Sequence, residues 1–454
     1  MSYLETANST GMWLSCSVII FVVLFQAAIF MRKAYKTGRE MGLSDEQMHL
    51  AMRSGAISTV GPSLAVVVAM VSLIVSLGAP FAWMRLSVVG SIPFELMAAE
   101  TGAVAMGTSL GSSTYDVNAF ATSVWTCTLG ASGWLLICAF FTDKFDVVRR
   151  KAVGGNEALL PVLSVSAMIG AFAYFGAPYL AGRGTASTVA CLSGGAEAER
   201  MGAGDRHALR DVHSDAVCLR RRFKMKDTYK NFVKQIIFWG RLTLIVAWLC
   251  SFLPPLYLAV VHGIMPELSS IAKAFSMIAS VMIVSWIVEP IAYFPIVGIT
   301  GTYMSWLAGN ISNMRVPVSA LAQTAAGVEE GTPEGDIIST LGIGISVIVN
   351  LIVLVLAVFF GQQVISSLPA NIQEAFKFIL PAVFGAILAN FALRDYMLGL
   401  FALVMSFVLT MLKMPSFIVL PVCVFGTIAV GIWKFRRKQA LTAVQRSDDK
   451  NEGL

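Results

Sequence analysis

The feature that most constrains this chain is the length of its uncharged apolar runs. Residues 12 to 31 contain no charged side chain, and neither do residues 337 to 361. At 1.5 Å per residue such runs match the ~30 Å hydrocarbon layer of a bilayer, and a run of about 17 to 25 apolar residues reads as a membrane-spanning helix. Further runs stand at about 56 to 78, 118 to 142, 157 to 180, 235 to 260, 267 to 288, 372 to 392, 396 to 413 and 416 to 435. The expected fold is therefore an all-α polytopic membrane protein of about ten transmembrane helices. Composition agrees: 56% of the 454 residues are hydrophobic and 13% are charged, against roughly a quarter charged in soluble domains.

The net charge of +6 does not point to nucleic acid, because Lys and Arg gather beside the apolar runs. "RKAYKTGR" (32 to 39) and "DKFDVVRRK" (143 to 151) place those loops in the cytoplasm, and "WKFRRKQ" (433 to 439) does so for the far end. The expected location is a bacterial cytoplasmic (inner) membrane. The first run has no positive segment before it and reads as a retained span. Five cysteines (Cys16, Cys127, Cys138, Cys250, Cys423) lie within apolar runs without a CxxC, which suits buried thiols rather than a metal site or a disulfide framework. No HExxH, GxSxG, Walker or GxGxxG motif occurs. Enzymatic chemistry, a metal and a cofactor are not expected.

Two halves of the chain resemble one another. An apolar span runs into "GAPFAWMRLSVVGSIPFELMAAETG", then a polar gap, Asp116 and a span ending in Phe140 and Phe141. Another runs into "VEPIAYFPIVGITGTYMSWLAGNISN", then a polar gap, Asp336 and a span ending in Phe359 and Phe360. Pro80 pairs with Pro290 at an offset of 210, Asp116 with Asp336 at 220, and the Phe pairs at 219. The charge pattern gives the halves opposite topology. Inverted repeats with Gly- and Pro-interrupted spans are the plan of many secondary transporters, whose solute and ion sites lie where the broken helices meet. Two broken or re-entrant hairpins are thus expected beside the full spans.

The candidate binding residues follow from that plan. Gly298, Thr300, Gly301, Thr302, Asn310 and Asn313 offer bare backbone and neutral polar groups in apolar surroundings, able to replace a hydration shell or hold a polar solute. Close packing of a small-residue hairpin is the competing account. Glu289, Glu95 and Glu100 are carboxylates at membrane depth, a proton carrier or cation ligand by default. Against this, Glu289 could stand in interfacial water and Glu95 could pair with Arg85 ten residues earlier. Asp116 and Asp336 read as helix N-caps, and Asn350 and Asn390 as polar links between helices. Half-helix N-termini would suit an anion.

At "MSYLETANSTGMWLSC", "RKAYKTGREMGL" and "GGNEALLPVLSVSAMIGAFAYF" the first 180 or so residues resemble the bacterial membrane family known as domain of unknown function 5058. From "MKDTYKNFVKQIIFWGRLTL" onward, and at "EPIAYFPIVGITGTYMSWLAGNISNMRVP" and "AAGVEEGTPEGDIISTLGI", the chain resembles a companion membrane protein. The resemblance implies an N-terminal membrane half (1–182), a polar linker (183–224) and a C-terminal membrane half (225–454). The linker carries His207, His213, Cys191 and Cys218 without metal-ligand spacing. Its dozen or so charges forbid a span, at roughly 2.5 to 3.5 kcal/mol each at the bilayer centre. The simplest account of it is an out-of-frame reading of two spans, fused ahead of the companion's own Met225; the rival is a natural polar loop.

The expected function is that of a secondary transporter moving a small polar or anionic metabolite by alternating access, coupled to Na⁺ or H⁺. An ion or solute channel and a non-transporting scaffold or signalling protein are the alternatives. The expected partners are the lipid bilayer, a small solute with its coupling ion, and a second copy of the chain.

Overall fold

The computed structural model describes residues 3–108, 113–153, 217–367, 392–412 and 422–438, with a few isolated positions besides. Every regular element among these residues is a helix: α1 Tyr3–Ala7, α2 Thr10–Met41, α3 Asp45–Leu77, α4 Ala79–Ser87, α5 Ile92–Ala105, α6 Val117–Val153, α7 Val217–Ser251, α8 Leu253–Val261, α9 Leu268–Ala308, a π-turn Ile311–Arg315 running into α10 Val316–Ala325, α11 Pro333–Ser367 and α12 Tyr396–Met411. Six helical stretches among the described residues are long and apolar enough to cross a bilayer: Tyr3–Met41, Asp45–Val67, Val117–Phe145, Asp227–Val261, Ser285–Ala308 and Pro333–Phe360. The protein is an all-α polytopic membrane protein. Of the expected spans, those at 157 to 180 and 372 to 392 lie mostly outside the described residues, as does the polar stretch up to residue 216.

Local signals set the helix ends. Ser9 caps α2 by accepting the Met12 N–H, and α2 stops at Gly42, where φ is +93° and the N–H returns to Arg39 and Gly38. Gly tolerates that left-handed geometry, which other residues resist. Ser44 and Gln47 close a capping box on α3, with Asp45 and Glu46 in its first turn where the helix dipole favours negative charge. Asp116 caps α6 through the Ala119 N–H at 2.8 Å, as its sequence position suggests.

The chain divides into two units. The first comprises Met1–Phe145, Ala208–Pro290 and Ile296–Leu380. Within it α11 lies along α3, α2 and α10, and α2 lies along α7. Lipid tails give helices no hydrophobic reason to associate, so close approach and polar links must do it. At Gly55 a methyl group would stand 2.6 Å from the Gly342 carbonyl oxygen, so α3 and α11 touch backbone to backbone. Ser63 donates to the Asn350 side chain at 3.0 Å across the same pair, which makes Asn350 a link between helices. Gln26 donates to Thr243 at 2.7 Å between α2 and α7. Phe21, Leu14, Phe238 and Leu249 meanwhile stay exposed, the inside-out arrangement of a surface made for lipid. The second unit comprises Asp146–His207, Ile291–Pro295 and Pro381–Leu454. In it Asp395 caps α12 through the Leu398 N–H at 3.1 Å and pairs with Lys434 at 2.7 Å. Asn390 lies outside the described residues.

Candidate functional site

Two helices are broken, each twice, and they meet at their second breaks. The first helical line is α3, Gly78, α4, the linker Val88–Gly90 and α5. Gly78 has φ +78° and ψ 158°, and Val88 is extended. The second line is α9, with a non-helical Gly298 inside it (φ +70°, ψ −172°), then Gly309 (φ +67°, ψ −175°), Asn310 (φ +52°, ψ 45°) and the helical run 311–325. Pro290 sits within the helical part of α9 ahead of any break, so the break opposite Gly78 is Gly298. On that register Gly78 and Gly298, Gly90 and Asn310, Glu95 and Arg315, and Asp116 and Asp336 are all 220 residues apart.

The second breaks bond to each other. The Val89 N–H donates to the Leu307 carbonyl at 3.0 Å, and the Asn310 N–H donates to the Gly90 carbonyl at 3.0 Å. The Asn310 side chain adds a bond from Nδ2 to the Leu86 carbonyl at 2.8 Å. A methyl group on Gly309 would fall 2.6 Å from the Gly90 oxygen, so only glycine admits this approach. Val89 (φ +59°) and Asn310 are the non-glycine residues at positive φ among the described residues. For a β-branched valine that geometry costs of order 1 to 3 kcal/mol.

Each break frees backbone groups that must be met inside the protein, because hydrocarbon meets none. At Gly78 the Ala79 N–H is taken by the Asn8 side chain at 2.9 Å. At Gly298 the N-terminus of the half-helix 299–308 faces Asp336, which accepts from the Thr300 N–H at 3.3 Å, the Thr300 hydroxyl at 3.4 Å and the Tyr229 hydroxyl at 2.9 Å. Asp336 lies inside the first turn of α11 and serves this neighbouring half-helix instead of capping its own. The freed carbonyls on the other side are also met. Ser319 and Gln323 donate to Ile296 at 3.0 Å each, and Ser339 donates to Val297 at 3.0 Å. The Gln323 Oε1, also buried, has no hydrogen-bond partner among the described residues.

The two lines differ in charge. In the first, Arg85 Nε and Nη2 reach Glu95 Oε2 and Oε1 at 2.9 and 2.7 Å, a bidentate pair whose side chains are 2% and 0% exposed. In the second, Arg315 is 0% exposed and donates to neutral acceptors: the Gly309 carbonyl at 3.2 Å, the Ala308 carbonyl at 3.3 Å and the Ser346 hydroxyl at 2.6 Å. Around the crossing, the side-chain oxygens of Ser87, Ser305, Asn310 and Asn313 are buried without hydrogen-bond partners among the described residues.

The structure gathers the expected residues only in part. Asn310 and Asn313 stand at the crossing, Gly298 and Thr300 at the break beside Asp336. Gly301 packs against Val297 and Ile343, and Thr302 donates to the Gly298 carbonyl at 2.6 Å within its own helix. Glu95 is held by Arg85. Glu100 is half-buried and accepts the Leu110 N–H at 2.8 Å, tying the loop after α5. Glu289 is half-buried, one turn past Ser285, whose carbonyl takes the Trp134 indole N–H at 3.2 Å. The residues sequence reasoning passed over are Arg315, Ser305, Ser319, Gln323 and Ser339. A signal for Arg315 existed: an arginine in the apolar text "ISNMRVP", at the position that answers Glu95.

No curated protein and no solved structure matches the chain. Residues 8–203, which include the whole of the first broken helix, match the family described as domain of unknown function (DUF5058).

Proposed function

We propose that the chain is a secondary transporter of a bacterial cytoplasmic membrane, moving a small polar or anionic solute by alternating access with Na⁺ or H⁺ as the coupling ion. The observation that carries this reading is the pair of twice-broken helices joined at their second breaks. Discontinuous helices at membrane depth place backbone dipoles and polar side chains where a desolvated solute can use them. The constant offset of 220 residues between the breaks supports two inverted repeats.

The hydrogen-bond exchange between the two lines favours a carrier over a channel. The backbones bond each other at the crossing, so a solute passes only when they part, and a carrier is a device that moves its walls. Gly298, Thr300 and Asp336 at the outlying break, with Asn310 and Asn313 at the crossing, are the proposed binding groups. Asp336 and Ser346, which holds Arg315, are ten residues apart on α11, so the two regions lie about 15 Å apart along it.

Reconstitution of the purified chain into proteoliposomes tests the proposal. Saturable uptake or counterflow driven by a Na⁺ or pH gradient, reduced in Asn310→Ala and Asp336→Asn, is the expected result. Unitary currents in a planar bilayer would replace it with the channel reading, and no flux of any kind would leave the scaffold reading.

A further inference from the structure

We infer that the crossing binds a carboxylate, held between the Arg315 guanidinium and the N-terminus of the helical run 311–325. The inference rests on the transporter reading and names the substrate class of the same site.

The first support is the unmatched charge of Arg315. A buried ion is tolerated when it is paired, and removing it from water is otherwise expensive. Arg315 is fully buried, and its three hydrogen bonds go to two carbonyls and a hydroxyl. No carboxylate pairs with it among the described residues. A guanidinium has five N–H groups, so two have no acceptor among the described residues, one on each terminal nitrogen. The carbonyls of Ala308 and Gly309 form the C-terminal end of the half-helix 299–308, and this end offsets part of the charge. It does not supply a full negative charge.

The second support is the helix that carries Arg315. The run 311–325 begins at Asn310, whose side chain makes no cap bond. The first N–H groups of any helix lack an acceptor within it and carry the positive end of the dipole. Ile311, Asn313 and Met314 are buried, so water is a poor partner for them. Helix N-termini of this kind are anion sites. The Ser305 hydroxyl, on a side chain 0% exposed and without a hydrogen-bond partner among the described residues, stands just before the break and can donate to an anion there.

The third support is the comparison between the two lines. Arg315 answers Glu95, and Ser305 answers Arg85, at the same offset of 220. In the first line the helix after the break carries its own carboxylate, Glu95, which pairs with Arg85 across the break. In the second line the corresponding helix carries a cation, and Ser305 offers no charge. The first line contains its anion; the second contains none among the described residues.

The test uses the full chain in lipid nanodiscs, with thermal unfolding followed against formate, acetate, lactate and succinate at constant ionic strength, and against chloride and sulfate. At least one carboxylate is expected to raise Tm with increasing concentration, as a ligand of the native state must. Arg315→Gln is expected to weaken that response ~10-fold or more, because a bidentate charge-assisted contact is lost. Ser305→Glu is the complementary variant. It supplies a carboxylate in the register of Arg85 and should unfold at a higher basal temperature than the parent while losing its response to every carboxylate. A stabilisation by sulfate equal to that by carboxylates overturns the inference. So does an Arg315→Gln protein that responds like the parent, or a parent that responds to none of the four. If Arg315→Gln does not fold, Ser305→Glu decides: an undiminished carboxylate response overturns the inference. Uptake of a neutral or cationic solute that is unaffected in Arg315→Gln would overturn the inference and leave transport standing. Carboxylate binding without flux would keep the site and end the transport reading.

Discussion

Glu95→Gln isolates the energetics of the first broken helix. The exchange keeps the side chain's shape and removes its charge, leaving Arg85 buried without an anion. The pair is bidentate at 2.7 and 2.9 Å, with both side chains almost fully buried. At an effective dielectric of about 20 the attraction of unit charges ~3 Å apart is on the order of 5 kcal/mol. Breaking a buried pair from one side costs about 3 to 5 kcal/mol, because the stranded ion keeps its desolvation penalty. The expected loss for Glu95→Gln is therefore ~3 to 5 kcal/mol, measured by SDS-titrated unfolding in bicelles. Arg85→Met combined with Glu95→Leu should recover most of it, since an apolar pair of similar volume carries no such penalty. A loss below ~1 kcal/mol for Glu95→Gln would refute the reasoning, as would a double variant no more stable than the single one. Either result would mean that water reaches the pair and that the break is wetter than its burial states.

Three further outcomes follow from the geometry. Gly298→Ala should destabilise by at least ~1 to 3 kcal/mol, because it adds a positive-φ penalty to a methyl group 2.2 Å from Asp336 Oδ1; the same unfolding titration reads it, and an unchanged midpoint would count against the break at Gly298. Ser44→Ala removes the capping box of α3 and should cost ~1 kcal/mol, visible as a lower Tm in nanodiscs. Ser63→Ala removes the link to Asn350 and should cost ~0.6 kcal/mol, the size of such bonds between membrane helices; a loss above ~2 kcal/mol would assign the pair a larger role than gluing.

Hydropathy made the spans and the helical class readable, because a run of twenty uncharged apolar residues has one comfortable environment. The breaks were readable as regions, since Gly and Pro interrupt helices for local steric reasons. Which positions break was less so: Pro80 and Pro290 look alike as text, yet Pro290 stays helical while Gly298 turns. A proline inside a membrane helix needs only neighbouring groups to satisfy what it frees, whereas the backbone at Gly298 and Gly309 has φ near +70°. Asp116 behaved as its sequence position implies, capping its own helix. Asp336, which also stands at the start of an apolar run, sits inside a turn that starts at Pro333 and serves Thr300 thirty-six residues earlier. Local pattern carries no information about that partner. The pair with Arg85 was one of two accounts the sequence offered for Glu95, the other being a binding role; that no carboxylate pairs with Arg315 among the described residues belongs to three dimensions, since it depends on the helices packed around it.

Val89 gives the crossing a thermodynamic character of its own. A glycine there would adopt a positive φ freely, as Gly309 does at +67° on the facing line, yet the chain places a β-branched residue at the point where the two lines exchange hydrogen bonds. The joined state is thereby raised by of order 1 to 3 kcal/mol above what the same contacts could deliver. For a carrier of the kind proposed, a gap of a few kcal/mol between two conformations is what keeps the second one populated. Valine at this position makes the joint shallow. On the proposed carrier reading, the side chain that strains the crossing would also set how readily it opens.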